Sequence, residues 1–581
     1  MIQPRVPQEH HFLTHDGVAL FYRHWPATAR PRRGAIVLLH RPHEHGERMA
    51  HLADELDLPD FDVFAWDARG HGRSASAHGE PLDFATAVRD LQVFVDHLAL
   101  AHGVPARAIH VVAEGGGAVL AATWVHDHAP RVRGLTLVSP AFGNRRHAGL
   151  RLTSRLRGTR TVPGPGGGAL TRDPRRRADH DADPLTRQPL DARFLLGLRE
   201  AALRVVADAN AIVRPVQLLV AGADRIAHTR PQHRFFDRLG SAHKSRLELP
   251  EARHDALGDR DREAAVQAVR AFVLRLIDAT PADVDLREAH LRGDTADESQ
   301  ALALPLPLLS PRNLRWSLMR LGIRAGTLSS HGLKLGHATG FDSGAMLDYI
   351  YRDQAGGRHA LGRRIDRHYL DALGWRALRT RRQHVEELIR DAMEWLAERH
   401  RDVRILDIAS GPGRYVLDAV KASPIRTSSV LLRDVSEESG REARALIEAR
   451  ELAHVTRFEL GDAFDRLGLA NLRPRPTLAV ASGLYELYPA NEMVRRSLAG
   501  VGDAVEDGGY FIYTNQSWHP QLELIARALV SRREHDGEPW VMRRRTQAEI
   551  DQLVEEAGFR KIAMRIDAHG IFTVSLAIRR E

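Results

Sequence analysis

The chain has 581 residues, 43% of them hydrophobic and 27% charged, and contains no cysteine. That length predicts at least two domains, and the composition is that of globular protein, not of a collagen-like or small disulfide-rich one; without thiols, disulfides, thiolate metal sites and cysteine nucleophiles are excluded. Lysine plus arginine (83) exceeds aspartate plus glutamate (75) by 8, an excess too mild for a dedicated nucleic-acid binder.

The first residues, MIQPRVPQEHHFLTHDG, hold no apolar core of the signal-peptide type. No run approaches the ~18 apolar residues of a membrane span, so a cytoplasmic location is expected. Asp16-Gly17 lies between the alternating runs His11–His15 and Val18–Tyr22, a strong hairpin signal. Buried-strand candidates follow at Ala35–Leu39, Asp62–Trp66, Ile109–Ala113, Gly134–Val138, Val216–Val220 and Ser245–Leu249. Helical stretches lie between them, such as Asp83 to Leu100, and another runs from about Asp261 to Ile277. Strands alternating with helices predict an α/β unit with a mostly parallel sheet.

Within this half, Arg145 to Arg177 carries ten arginines and one acid, Asp173, together with the Gly/Pro run Pro163 to Gly168. The surrounding 141–195 is read as a cationic insertion. A solvated loop is one reading; a surface for an anionic substrate or an anionic membrane is the other.

Strand Ile109–Ala113 leads into Glu114-Gly115-Gly116-Gly117 and then a helix from Ala118. A hydrolase of the α/β class places its nucleophile on such a strand–turn–helix elbow, in a G-x-S-x-G pattern. The central position here is Gly115, and no Ser, Thr or Cys lies within the turn. Asp224, in Gly222–Asp224 after a buried strand, and His254 follow in the order expected of an acid and a base. An Asp holding a His is the orienting half of a charge-relay pair; with no hydroxyl to deprotonate it has only water to activate. Ser74 and Ser139 lie outside the elbow and are read as structural. His40, Glu44, His43 and His45 could suggest a metal site, but Pro42 bars the helix that zincin spacing needs, and no metal is assigned.

Trp66–Ser74 is the most specific local signature of this half. With Asp16-Gly17, Glu44-His45 and Asp224/His254 it resembles the monoglyceride-lipase and serine-aminopeptidase-like branch of α/β-hydrolases, over about residues 10–277. That branch usually has His-Gly and then a donor N–H in its first oxyanion loop. Here the loop reads His40-Arg41-Pro42, and proline has no N–H. The resemblance with both departures implies a hydrolase frame that binds or scaffolds.

From Asp278 to Ser310 the α/β pattern fails and the prolines at 305 and 307 oppose a regular helix, so 278–312 is expected to be a linker. Residues 313–400 read as several helices. Then Val403–Asp407 is a strand, Gly411-Pro412-Gly413 a tight turn, and a helix runs to Ala419. Glycines admit close ligand approach, and Asp407 can take hydrogen-bond donors. Val430–Asp434 is a second strand ending in an acid, 27 residues beyond Asp407, where nucleotide folds bind a ribose diol. Thr456–Leu460 ends in Gly461-Asp462-Ala463, Thr477–Ala481 ends in Ser482-Gly483, and a fifth strand is Gly509–Thr514. The polar candidates all fall at carboxyl ends of strands, where open α/β sheets bind ligands.

This series resembles class I S-adenosylmethionine-dependent methyltransferases over about 401–581, with the helical stretch 313–400 as an N-terminal extension. The resemblance implies S-adenosyl-L-methionine as cofactor, with Asp407, Ala409, Gly411 and Gly413 at its methionine part, Asp434 on the ribose, Asp462 and Ala463 beside the adenine, and Ser482 nearby. Ala409 replaces a glycine common in the family. An NAD(P) domain would carry a third glycine at position 416; Val416 disfavours it. Tyr485, Glu486, Trp518 and His519 are candidate acceptor residues, with His519 or Glu486 as the base; ordinary packing is the alternative.

The whole arrangement resembles a bacterial fusion family of an α/β-hydrolase and a class I methyltransferase. The stretches that carry the likeness are Gly340–Tyr349, Gly483–Glu486, Trp518–Glu523, Pro539–Met542 and Gly570–Val574. It implies a two-domain α/β protein with a Rossmann-like second domain. The expected function is methyl transfer, with the first domain, 1–277, binding substrate or scaffolding. A lipid-like or other small-molecule acceptor is drawn from the lipase-branch likeness and the basic insertion. An active ester or lipid hydrolase using Asp224/His254, and a non-catalytic lipid-binding or sensing protein, are the alternatives.

Overall fold

Alternating apolar strands of the first half pair into one eight-stranded sheet in the computed structural model, which describes residues 4–74, 83–143, 161–186, 189–279, 281–357, 359–529, 531 and 541–580. The chain forms two compact units, Met1–Val284 and Asp285–Glu581.

In the first unit the strands are β1 (Gln8–Leu13), β2 (Ala19–Trp25), β3 (Gly34–Leu39), β4 (Phe61–Trp66), β5 (Ile109–Glu114), β6 (Gly134–Val138), β7 (Val216–Ala221) and β8 (Lys244–Leu249), in the order β1-β2-β4-β3-β5-β6-β7-β8. The β1–β2 hairpin turns at Asp16-Gly17, with Gly17 at φ 78°. It joins β4 antiparallel, and the strands from β4 onward run parallel. All six residues of β3 are buried, and they alternate. Ala35, Val37 and Leu39 enter the core beneath helices Phe84–His102, Gly115–His128 and Ala192–Ala207. Ile36 and Leu38 enter the opposite core beneath Arg262–Ala279. Period-two side chains covered on both faces are what a parallel sheet requires. Residues 144–160 of the cationic insertion lie outside the described residues.

Among the described residues of the second unit, six helices precede the sheet: Asp294–Ala303, Pro311–Gly326, His331–Thr339, Gly344–Arg352, Ala360–Leu370 and Leu373–Glu398. The first of these corrects the expected linker at 278–312. Pro305 does not forbid a helix that ends two residues before it; Leu304, the residue preceding the proline, is extended. Asp294 and Asp297 in the first turn also suit the positive end of the helix.

The sheet strands are β9 (Val403–Ile408), β10 (Thr427–Asp434), β11 (Thr456–Leu460), β12 (Leu478–Ala481), β13 (Tyr510–Gln516), β14 (Phe559–Ile566) and β15 (Phe572–Arg579), ordered β11-β10-β9-β12-β13-β15-β14. The first five are parallel; β15 is antiparallel to both its neighbours. Strand order reverses between β9 and β12, which opens the crevice where ligands of such sheets bind.

Candidate functional site

Among the described residues, each unit has a cavity at carboxyl ends of its strands. In the first unit, β5 passes through Glu114 into a turn where Gly115 takes φ 54° and a helix begins. The turn is cramped. A Cβ on Gly115 would lie 2.7 Å from His254 Nε2 and 3.0 Å from Arg41 Cγ; one on Gly116 would lie 2.6 Å from Pro42 Cδ, and one on Gly117 2.8 Å from the Leu39 carbonyl oxygen. The three glycines therefore admit the His254 ring, the Arg41 stem, the Pro42 ring and the end of β3.

His254 and Asp224 meet across 30 residues, Nδ1 to Oδ2 at 2.8 Å. Asp224 Oδ1 accepts the Ile226 and Ala227 amides at 2.7 and 2.9 Å. Burial opposes ionisation of Asp224, but His254 and these amides outweigh it and hold the carboxyl below its usual range. Ser74 Oγ accepts the Phe21 amide at 2.7 Å, and Ser139 is fully buried. Neither enters the elbow cavity.

Arg41 is a residue whose importance the sequence did not disclose. Its guanidinium is buried among three carboxylates, reaching Glu44 Oε2 at 2.8 Å, Glu114 Oε2 at 2.8 Å and Asp255 Oδ1 at 2.9 Å. Arg41, with Arg176 3.5 Å from Asp255 Oδ2, does not offset three anions. Burial pushes the Glu114 carboxyl up to about 7, against Arg41 and with the help of Asp255 and Glu44. Burial also works against Asp255, but Arg41 and Arg176 hold its carboxyl well below the usual range. The cavity beside this cluster has a volume of about 200 Å³ and is bounded by Pro42, Gly116, Ala141, Leu170, Leu198 and His254 among others.

In the second unit, a cavity of about 300 Å³ takes in the ends of β9, β10, β11 and β12. Ala409, Gly411, Asp434, Asp462, Ala463 and Ser482 all line it. Ala409 is left-handed at φ 52°, as are Gly411 at 53° and Gly413 at 72°; the alanine carries a strain of order 1–2 kcal/mol that glycine would not. A Cβ added to Gly411 would meet nothing within 4 Å, whereas one on Gly413 would strike the Leu432 side chain. Gly411 thus leaves backbone open to a ligand, and Gly413 lets the helix pack on β10. Asp434 Oδ2 accepts the Gly411 amide at 2.9 Å and Oδ1 accepts the Ser436 amide at 2.9 Å. Asp462 Oδ1 accepts the Phe464 amide at 2.9 Å.

Asp407 is placed differently from the expectation. It is fully buried and is not among the cavity's lining residues; Tyr415, which is, donates its hydroxyl to Asp407 Oδ1 at 3.0 Å. Burial raises the Asp407 carboxyl well above its ordinary value, and its Oδ2 is buried without a hydrogen-bond partner.

None of the expected acceptor residues Tyr485, Glu486, Trp518 and His519 lines the cavity. Glu486 touches it only through a neighbour: its Oε1 accepts from Arg381 Nη1 at 2.8 Å, and Arg381 is a lining residue. Tyr485 packs in the core with its hydroxyl 3.3 Å from Ser497 Oγ. Trp518 packs among Met346, Ile350, Leu370 and Phe572. His519 is buried, accepts the Gln521 amide on Nδ1 at 3.1 Å, and is pushed down to about 4 by burial. Following a strand end in sequence did not bring these side chains back over the crevice. Arg381, Tyr351 and Leu347, from the helices before the sheet, and Tyr488 complete the wall instead. Sequence spacing carries no signal for them, because helix packing brings them there. Of the stretch Pro539–Met542, Pro539 and Trp540 lie outside the described residues.

A group with a methionine-like arm and a ribose suits the residues that line this cavity: sterically open backbone at Gly411 and the Asp434 carboxylate at a strand end.

Comparison with known proteins agrees with two units of different kinds. Residues 30–261 match a family described as "Serine aminopeptidase, S33", and residues 269–579 match one described as "Putative methyltransferase". The chain is 45% identical to the Escherichia coli K12 protein designated Uncharacterized protein YnbC, over 100% of both chains. Its first part is 26% identical to the monoacylglycerol lipase of Mycolicibacterium smegmatis, over 46% of this chain and 96% of that one. A crystal structure of Paleococcus ferrophilus monoacylglycerol lipase is similar at a TM-score of 0.38 and 21% identity, covering 47% of this chain and 99% of that one. By a match to more than half of its length, the chain belongs to the methyltransferase family, joined to an N-terminal α/β-hydrolase domain.

Proposed function

We propose that the second unit transfers a methyl group from S-adenosyl-L-methionine to a small, lipid-like acceptor, and that the first unit performs no acyl transfer. The observation that carries the first statement is the cavity at the sheet's switch point, where Gly411 offers open backbone and Asp434 turns a carboxylate toward it. Asp434 would hold the ribose hydroxyls, the 409–413 turn the methionine arm, and Asp462–Ala463 the adenine edge. Bound there, the cofactor supplies an electrophilic methyl group. The chain's own contribution is position and exclusion of water, which suffice for an in-line transfer. Of the expected bases, Glu486 is paired with Arg381, which lines the cavity.

The second statement rests on Gly115 and Pro42. No hydroxyl stands at the elbow, and no N–H at position 42 can receive a developing oxyanion. A serine-directed fluorophosphonate should leave the protein unlabelled, and labelling would restore the hydrolase reading that the intact Asp224/His254 pair favours. For the transferase, methyl-labelled S-adenosylmethionine is incubated with cell extract, and the products are partitioned. Label in the organic phase is the expected result. Label confined to the aqueous phase keeps the transferase and removes the lipid acceptor. Absence of measurable cofactor binding removes the transferase.

A further inference from the structure

One helix of the second unit turns an apolar stripe to solvent. Pro311–Gly326 is a 16-residue helix started by Ser310, whose hydroxyl oxygen accepts the Asn313 amide at 3.1 Å. Its inner side is fixed by Trp316, which is buried and donates Nε1–H to Glu523 Oε1 at 2.8 Å, and by Arg320, whose Nη1 donates to the Arg527 carbonyl oxygen at 2.8 Å. On the other side Leu314, Leu318 and Leu321 recur at the spacing of a single helix face. Each is at least 60% exposed, as are Leu308 and Leu309 before the helix and Leu328 after it. A contiguous bare patch of this kind marks an interaction surface.

The charge around the stripe has one sign. At 3.6 residues per turn, Arg315 lies about 100° to one side of Leu314 and Arg324 about 80° to the other, so arginines flank the leucines. Arg312 pairs with Glu523. Arg315 lies over the Trp316 ring at 4.9 Å, and neither it nor Arg324 has an ion-pair partner among the described residues. From Ser299 to Phe341 the chain carries four arginines, one lysine and no Asp or Glu. A second copy of the chain on this face would therefore set arginines against arginines across a two-fold contact. The boundary of an anionic bilayer matches both parts: leucines enter the acyl region, and arginine stems lie along it while their guanidinium groups reach lipid phosphates. A helix of this length is too short to span a bilayer, and no described helix is long and apolar enough to cross a membrane, so this one would lie in the plane of the interface.

We propose that the Leu314/Leu318/Leu321 face docks the second unit on the surface of an anionic phospholipid membrane, with helix Pro311–Gly326 in the headgroup plane and Arg315 and Arg324 on lipid phosphates. This surface belongs to a different unit from the basic insertion at 141–195, and its binding does not depend on which acceptor is methylated.

Full-length protein is sedimented with vesicles of phosphatidylcholine alone and with vesicles of equal parts phosphatidylcholine and phosphatidylglycerol, and its mass without lipid is measured by light scattering. It should bind the anionic vesicles at least about tenfold more tightly than the neutral ones, and high salt should narrow that preference. Leu314→Ser, Leu318→Ser and Leu321→Ser combined should weaken binding to the anionic vesicles at least about tenfold, because apolar area no longer enters the lipid. Arg315→Gln with Arg324→Gln should weaken it about tenfold while leaving the leucines in place; this pair serves alone if the leucine variant does not fold. Equal binding to the two kinds of vesicle, no binding, or binding that neither folded variant weakens overturns the proposal, the last result assigning membrane contact to another segment. A wild-type dimer that the leucine variant converts to monomer also overturns it and gives the face to a second copy of the chain.

Discussion

Restoring a serine at the elbow should not restore a hydrolase. In Gly115→Ser the new residue must adopt φ 54°, at about 1–2 kcal/mol for a residue other than glycine. Its Cβ arrives 2.7 Å from His254 Nε2 and 3.0 Å from Arg41 Cγ. Arg41 cannot yield freely, because it is tied to three buried carboxylates. Overpacking of this kind adds about 1–3 kcal/mol. The expected total is about 2–5 kcal/mol, or roughly 4–20 °C in the unfolding midpoint of the first unit at 2–4 °C per kcal/mol. Catalysis stays poor because the oxyanion would lack its donor at Pro42, a loss of about 10²–10³ in rate. The assay is hydrolysis of p-nitrophenyl octanoate alongside thermal unfolding of wild type, Gly115→Ser, Pro42→Ala and the double variant. The double variant should exceed Gly115→Ser by about 10²-fold. A single Gly115→Ser protein that hydrolyses as fast as the double, at an unchanged midpoint, would refute the coupling of these positions.

Three further outcomes follow from the two sites. Asp434→Asn should weaken S-adenosylmethionine binding by about 10–100-fold, the scale of a charge-assisted bond, as read by calorimetry on a folded variant. Arg381→Gln should narrow the preference for S-adenosylmethionine over its decarboxylated analogue, if the guanidinium beside Gly483 receives the methionine carboxylate; an unchanged ratio in direct binding assigns Arg381 elsewhere. Glu114 titrates at about 7 folded against 4.5 ordinarily. Its folded value is raised, so its contribution to stability is complete below about pH 4.5 and is lost as pH rises through about 7, an effect of about 3 kcal/mol. Glu114→Gln should flatten the stability of the first unit across that window, and an unaltered pH profile would count against a proton held on Glu114.

Much of the architecture was legible along the chain, because strand and helix periods are local. The run Ala35–Leu39 shows a strand buried on both faces, and Asp16-Gly17 shows where the first hairpin turns. Gly411, Asp434 and Asp462 stood out because open α/β sheets carry their ligand groups at strand ends. The helix Asp294–Ala303 was hidden by a proline that lies just beyond it. Strand β14 is only half-buried and lacks a continuous apolar run, so its sequence carries a weak strand signal.

Sequence by itself determined the absence of an elbow nucleophile, the absence of an N–H at position 42, and the order of Asp224 and His254. Those facts depend only on which residue stands where. Tertiary structure alone decided that Arg41 sits among Glu44, Glu114 and Asp255, that Tyr415 stands over Asp407, and that Arg381 rather than His519 reaches the second cavity. Arg41 with Glu114 and Asp255, and Arg381 with the second cavity, require segments distant in the chain to pack together, and the Tyr415–Asp407 contact requires the helix after the Gly turn to fold back over β9.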